Sequence, residues 1–96
     1  DMWAFVLHAS LSKGRLLREC AAALGIARER ILAIGDGLND VSMLDCAVAG
    51  AVGCPSDAGE EARQAVRLAR GRIASQRGPK GTAEIIRAYL AGNPGT

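Results

Sequence analysis

Apolar residues alternate along the chain between short continuous runs and helix-like spacings. Continuous apolar runs of strand length are typical of buried parallel strands. The chain has four, at 3–8, 31–34, 48–53 and, the weakest, 72–74. Residues 13–24 repeat apolar positions at intervals of three and four, which predicts a helix that Ser12 caps and Gly25 ends. Further helices are expected over 40–47, from a cap at Ser56 or Asp57 to about Val66, and over 82–90.

This order, β-α-β-α-β-α-β-α, predicts an α/β fold with a parallel sheet flanked by helices. A loop is expected at 75–81 and a fraying tail at 92–96. The 96 residues are too few for a two-domain enzyme. Because the chain has one Trp, one Tyr and one Phe but is 49% hydrophobic, its interior must consist of Ala, Val, Ile and Leu.

Charge and cysteine usage narrow the possible partners. The 12 basic and 10 acidic residues are scattered, without a basic stripe interleaved with aromatic rings, so no nucleic-acid partner is predicted. No apolar run approaches the roughly 20 residues that cross a bilayer, so no membrane segment is predicted. Cys20, Cys46 and Cys54 follow no CxxC spacing and predict reduced, mostly buried thiols in a cytoplasmic protein.

The sequence GDGLND, which follows the second apolar run, is the strongest candidate for chemistry. Ligands bind at the carboxyl ends of strands in such sheets. Asp36 and Asp40 supply two carboxylates four residues apart, the oxygen ligands that Mg²⁺ prefers. Gly35 and Gly37 would let backbone amides approach an anion, and Asn39 adds a neutral donor for phosphate. The alternative is a simple turn that caps the following helix.

Lys13 is the second candidate. It stands at the start of the first predicted helix, between Ser12 and Gly14. A lone lysine in such a place is usually a solvated surface charge. A lysine and glycine at a helix start, followed by a strand that ends in GDGLND, form a much narrower pattern.

Three segments together resemble the haloacid-dehalogenase-like (HAD) phosphatases, and most closely their Cof-type branch. They are SKGRLL at 12–17, LGI at 24–26 and ILAIGDGLNDVSML at 31–44. The segment RGPKG at 77–81 is similar to the tail of mannosyl-3-phosphoglycerate phosphatases in that branch. The resemblance covers roughly residues 6–91. It implies a partial HAD-like, Rossmannoid three-layer fold.

The resemblance also implies roles for single residues. Lys13 matches the lysine that contacts the phosphate and the nucleophile, and Asp36 matches the carboxylate that binds Mg²⁺. Asp40 matches the second acid, which supports the metal directly or through water and with Lys13 forms the catalytic set. Asn39 matches a position that often reaches the phosphate, and Gly37 is expected to bind it as well. Such a site acts by positioning and by neutralising charge during phosphoryl transfer.

One part of the family's site has no counterpart in the sequence. The family's nucleophile is the first aspartate of a DxD pair, but the aspartates here, at 1, 36, 40, 45 and 57, include no pair two residues apart. We therefore expect residues 1–11 to be the end of a cap domain or a return strand, 12–91 the C-terminal part of a HAD core, and 92–96 a flexible tail. The expected function is that of a fragment of a Mg²⁺-dependent phosphatase acting on a small phosphorylated substrate, a sugar or a glycosyl-phosphoglycerate.

Two other functions are considered. One is an inactive HAD-like module that self-associates or complements a partner through an exposed sheet edge, and the other is a fragment of a P-type ATPase phosphorylation domain. Several residues are also open to a simple structural interpretation. These are His8 as a strand end, Arg77 and Lys80 as loop charges or ligands of a second anionic group, Cys54 as a packing thiol, and Met43 and Leu44 as core contacts.

Overall fold

The computed structural model describes residues 13–92. The predicted strand at 3–8, His8 and the Ser12 cap lie outside this range. Three α-helices, three strands and two 3₁₀ helices follow one another in the described range. In chain order they are α1 (Lys13–Leu24), η1 (Arg28–Arg30), β1 (Leu32–Ile34), η2 (Leu38–Met43), β2 (Ala51–Cys54), α2 (Glu60–Leu68), β3 (Arg72–Ile73) and α3 (Gly78–Leu90). As predicted, α1 ends before Gly25, whose φ of +70° suits a residue without a Cβ.

The three strands form one parallel sheet in the order β1-β2-β3. Ala33 of β1 is in register with Val52 of β2, and Gly53 of β2 with Arg72 of β3. The α/β class and the parallel sheet are therefore confirmed. Because all three strands run the same way, the loops that follow them meet at one end of the sheet.

Helices cover both faces of the sheet, in agreement with the three-layer fold. On one face, small side chains of β1, β2 and α2 form a buried cluster with residues of the segments that connect η2 to β2 and β2 to α2. Its members are Ala33, Leu44, Ala49, Val52, Cys54, Ala58, Ala62 and Val66. On the other face, Ile85 of α3 is 1% exposed and lies over Gly53. The cluster contains no aromatic ring, as the composition predicts.

The predicted starts of two elements are wrong. α2 begins at Glu60, after Gly59, and no side-chain cap precedes it. The Asp57 carboxylate accepts instead from the Gly78 amide of another loop, at 2.9 Å, and the Ser56 backbone is held to the same loop because its amide donates to the Gln76 carbonyl at 2.9 Å. β2 begins at 51 and not at 48, since the preceding residues form a turn closed by the carbonyl of Asp45.

Two helix predictions also need correction. The helix expected over 40–47 is the 3₁₀ helix Leu38–Met43, which begins before Asp40 because the carboxylate of Asp40 folds back onto the preceding amides. The helix expected from Thr82 begins at Gly78, so the predicted loop at 75–81 is shorter. Pro79 lies in the first turn of α3, where its fixed φ and missing N–H are compatible with a helix.

All three cysteines are free, but only Cys54 is buried. Cys20 is half-buried and Cys46 exposed, so the expectation of mostly buried thiols is wrong.

Within residues 13–92, the outer edge of β1 has no partner strand, and an apolar cavity of about 440 Å³ lies beside it between α1 and β1. Self-association through that edge remains a prediction. No helix in the described part of the chain is both long and apolar enough to cross a membrane.

Candidate functional site

A cavity of about 540 Å³ opens where the loops after the three strands meet. Each strand contributes through the residues that follow it, and α1 contributes through its first residue. The lining residues are Lys13, Ile34, Gly35, Asp36, Asp40, Met43, Pro55, Gly78, Pro79 and Thr82. The structure thus brings Lys13, Asp36 and Asp40 to one cavity, although Lys13 is 27 residues from Asp40 in the sequence.

Lys13 and Asp40, which both line the cavity, form an ion pair. The Lys13 ammonium donates a hydrogen bond to Oδ1 of Asp40. The Asp40 side chain is 8% exposed and that of Lys13 is 34% exposed. The carboxylate is therefore nearly enclosed, whereas the ammonium also faces the open cavity.

The other carboxylate oxygen of Asp40 organises the loop that precedes it. Oδ2 accepts hydrogen bonds from the amide of Asp36 at 3.0 Å and from that of Gly37 at 3.3 Å. A carboxylate that accepts the amide at the start of its own helix forms half of a capping box. These contacts explain why the GDGLND loop is a tight structure and not merely a turn between two elements.

The pKa of Asp40 reflects two opposing effects. Burial of the carboxyl group pushes its pKa up because it penalises the charged form. The hydrogen bonds from Lys13, Asp36 and Gly37, together with the Lys13 charge, outweigh burial and hold the pKa of Asp40 below its ordinary value. Asp40 is therefore charged at neutral pH and keeps Lys13 in place.

Gly35 makes the close packing of Asp40 possible. A Cβ at Gly35 would lie 2.5 Å from Cβ and 2.9 Å from Cγ of Asp40. Real carbon atoms do not approach so closely, so any side chain at position 35 would displace the Asp40 carboxylate. The first glycine of GDGLND therefore makes room for the aspartate five residues later.

Asp36 differs from Asp40 in its surroundings. It is exposed, lines the cavity, and its carboxylate accepts no hydrogen bond from any residue in the described range. Its backbone carbonyl accepts from the Gly59 amide at 2.9 Å, which fixes the loop without using the side chain. A fixed backbone with an unpartnered carboxylate is a suitable arrangement for a group that binds a ligand.

The two carboxylates fit a magnesium ion better than a metal that needs a protein cage. Among residues 13–92, no cluster of three His, Cys, Asp or Glu side chains is placed to hold a metal ion. Mg²⁺ usually keeps several waters and takes one or two carboxylates together with substrate phosphate oxygens. Asp36 is free to ligate directly. Both oxygens of Asp40 already accept hydrogen bonds, so this residue fits contact through water.

The two remaining phosphate candidates are placed less directly. The amide of Gly37 donates to Asp40 and is thus already used within the loop. Asn39 is exposed, and neither it nor Gly37 lines the cavity. Their roles toward a phosphate remain predictions.

Part of the cavity lining consists of residues that the sequence pattern does not identify as site residues. Pro55 follows β2, while Gly78, Pro79 and Thr82 belong to the first turns of α3. The available signal was Gly-Pro at 78–79, since proline favours the first turn of a helix. Because Gly-Pro is also typical of turns, the sequence alone does not indicate that these residues line the cavity.

Among the described residues, the other candidates from the sequence lie outside the cavity, with the exception of Met43. Arg77 and Lys80 are exposed and do not line the cavity, and Arg77 lies 3.7 Å from the Asp57 carboxylate. Burial raises the pKa of the Cys54 thiol, which suits a packing role and not a reactive one. Leu44 is a core residue, whereas Met43 packs on the core and also lines the cavity.

Together, the parallel sheet and the acidic loop with its lysine define an α/β protein of the Rossmann-like type with a candidate site at its strand ends. The haloacid dehalogenase-like hydrolase family matches residues 2–65. The chain therefore belongs to the haloacid dehalogenase-like hydrolases, and the family resemblance is confirmed.

Individual relatives agree with this assignment. A phosphoglycolate phosphatase of Aeropyrum pernix is 42% identical over 80 residues, which are 83% of this chain and 31% of the relative. A haloacid dehalogenase-like hydrolase of Bacteroides thetaiotaomicron has a crystal structure that is 30% identical, with a TM-score of 0.69 over 84% of this chain and 28% of that one. A protein of Thermoplasma acidophilum, 18% identical with a TM-score of 0.66 over 81% of this chain and 32% of its own, shares the fold. The chain spans about a third of the length of these relatives.

Proposed function

We propose that the chain is the part of a Mg²⁺-dependent phosphatase that holds the metal and the phosphate-binding lysine. The observation that carries the proposal is the pairing of Lys13 with the enclosed carboxylate of Asp40, in a cavity that also contains the unpartnered carboxylate of Asp36. The family to which the chain belongs supports it. The reaction would be hydrolysis of a phosphate monoester.

Lys13 is suited to bind a phosphate oxygen. An ammonium group has three donors, and one of them is used by Asp40. Because the lysine side chain is 34% exposed, the remaining donors are accessible from the cavity. Asp40 restricts the flexible lysine chain and fixes where its charge lies, so the charge is in place before the substrate arrives.

Asp36 and Asp40 would hold the metal, Asp36 directly and Asp40 through water. A bound Mg²⁺ supplies positive charge that offsets the charge developing on a transferring phosphoryl group. Asp40 carries out two tasks in this arrangement, since it also orients Lys13. Asn39 and Gly37 are also proposed to contact the phosphate, as the family resemblance implies.

The nucleophile and the substrate need separate proposals. The sequence has no DxD pair, so we propose that the nucleophilic aspartate lies outside it and that the chain corresponds to the C-terminal part of the hydrolase core. The Aeropyrum pernix relative is a phosphoglycolate phosphatase, and the segment at 77–81 resembles phosphatases of a glycosyl-phosphoglycerate. Both support a small phosphorylated sugar or hydroxy acid as substrate. A cytoplasmic location is proposed on separate grounds, since all three cysteines are free and thiols stay reduced in that compartment.

The proposal is tested by titrating the isotope-labelled chain with Mg²⁺ and following backbone amide signals by NMR. We expect weak, saturable shifts centred on Asp36 and Gly37. The variant Asp36→Asn should weaken Mg²⁺ binding at least ~10-fold. Asp45→Asn is the matched control, because Asp45 is exposed and belongs to the turn after η2, away from the cavity.

Two results would contradict the proposal. One is Mg²⁺ binding that Asp36→Asn leaves unchanged, since the metal would then lie elsewhere. The other is rapid hydrolysis of a phosphate monoester by the 96-residue chain itself, since a nucleophile would then be present in it. The absence of turnover together with Asp36-dependent Mg²⁺ binding is the expected result.

A further inference from the structure

The start of α1 is capped by a residue from a different element. The first four backbone amides of a helix have no partner within it. In α1, the amide of Gly14 donates to the hydroxyl oxygen of Ser42, in η2, at 2.9 Å. The two residues are 28 positions apart, so this is a tertiary contact and not a local cap.

The backbones of the two elements also touch at this point. Gly14 is buried, and a Cβ built on it would lie 2.2 Å from the carbonyl oxygen and 2.6 Å from the carbonyl carbon of Ser42. Any residue larger than glycine would therefore push α1 away from η2. Gly14 and Ser42 form one junction, in which close approach and a hydrogen bond depend on each other.

The same two elements carry the ion pair of the candidate site. Lys13 precedes Gly14 directly, and Asp40 lies two residues before Ser42. The hydrogen bond from Gly14 to Ser42 and the ion pair from Lys13 to Asp40 thus run side by side between α1 and η2. A lysine side chain is long and flexible, so the position of its charge depends on where its backbone is held.

We propose that Ser42 is a positioning residue that fixes the start of α1 on η2 and thereby directs the Lys13 ammonium toward Asp40 and the cavity. Ser42 does not line the cavity and acts only through Gly14. The inference rests on the proposed function for the importance of Lys13. The position of Lys13 can be measured without any activity.

The experiment compares Ser42→Ala with Ser42→Thr in the full chain. Ser42→Ala removes the acceptor, so the Gly14 amide should exchange with solvent about 5- to 10-fold faster. The Lys13 side-chain ammonium signal, sharpened by its hydrogen bond to Asp40, should broaden or disappear in the NMR spectrum. Ser42→Thr keeps the hydroxyl, and Ser42 is exposed, so there is room for the added methyl group and both signals should return.

Ser56→Ala is the matched control, since it removes a serine hydroxyl that makes no hydrogen bond to any residue of the range 13–92. It should leave the Gly14 and Lys13 signals unchanged. If Ser42→Ala also leaves both unchanged, or if Ser42→Thr fails to restore them, the positioning role is wrong. Titration with inorganic phosphate separates this outcome from failure of the proposed function. If phosphate does not perturb Lys13 in the unmodified chain, the binding role of Lys13 fails, while the Ser42 effect on its position is still measured.

Discussion

Two loops near the cavity are each fixed by a carboxylate that accepts hydrogen bonds from backbone amides, but only one of them carries the charges of the candidate site. After β1, the carboxylate of Asp40 accepts hydrogen bonds from two backbone amides of its loop. After β3, the carboxylate of Glu84, in α3, accepts hydrogen bonds from the amides of Ser75 and Gln76. Asp40 is 5% exposed and is paired with a lysine that faces the cavity. Glu84 lies near the surface and also accepts the Ser75 hydroxyl at 2.9 Å.

The difference shows what turns a structural contact into part of a candidate site. In both places, hydrogen bonds from backbone amides to a carboxylate fix the loop. Only Asp40 combines it with burial and with a cation whose other donors remain accessible. The contacts of Glu84 shape the wall from which Gly78, Pro79 and Thr82 face the cavity, but they add no charge to it.

The largest expected effect is that of Asp40→Asn. The change leaves the Lys13 ammonium without its counter-ion and removes the charge that strengthens the hydrogen bonds from the amides of Asp36 and Gly37. Breaking a buried pair costs about 3–5 kcal/mol, and since Lys13 is partly exposed we expect the free energy of unfolding to fall by about 2 kcal/mol. Urea denaturation measures it. The control is Asp36→Asn in the same loop, because the carboxylate of Asp36 has no hydrogen-bond partner in the described range; it should change the free energy of unfolding by less than about 0.5 kcal/mol.

Acid titration sharpens this contrast. The pKa of Asp40 is lower in the folded chain than its ordinary value of about 3.9. Its contribution to stability is therefore complete above that value and is lost as the pH falls through the folded pKa. The stability difference between the unmodified chain and Asp40→Asn should accordingly shrink below pH ~4. A difference that stays constant from pH 7 to pH 3 would contradict the assignment.

A smaller and more local effect is expected from Glu84→Gln. Glutamine keeps one acceptor oxygen but loses the charge that strengthens the bonds from Ser75 and Gln76. We expect hydrogen exchange at these two amides to become about 5-fold faster. The amides of the loop after β1 should be unaffected. Glu61→Gln is the control, since Glu61 is an exposed carboxylate on α2 with no hydrogen bond to the described residues. Equal effects of the two changes would mean that the Glu84 contacts do not hold the loop.

The sequence predicts the first of these loops far better than the second. The GDGLND loop is specified by residues close together in the chain: Gly35 makes room, Asp40 folds back, and the preceding strand β1 fixes the position. Its lysine was identified through a family pattern, not through spacing. The contact itself spans 27 residues and depends on how α1 packs on η2.

The second loop depends on contacts that no local pattern reveals. Ser56 and Asp57 are residue types that often cap helices, yet both form hydrogen bonds with the segment after β3, Ser56 through its amide and Asp57 through its carboxylate. Their preference for helix starts was overridden because the parallel sheet brings the ends of β2 and β3 together. The start of α3 is hard to predict for a different reason, since Gly-Pro at 78–79 suits both a turn and a first helical turn.

The smallest expected effect is that of Asp57→Asn. Asparagine retains an oxygen for the Gly78 amide, and the pairing of Asp57 with Arg77 at 3.7 Å is exposed and weak. We expect at most a roughly 2-fold faster exchange at Gly78 and no change in the helix signals of α2. If Asp57 capped α2, the substitution would also leave that helix intact, because asparagine is an equally good cap. The decisive variant is therefore Asp57→Ala: it should release the Gly78 amide and leave the start of α2 at Glu60 unchanged, whereas fraying of α2 would restore the capping role.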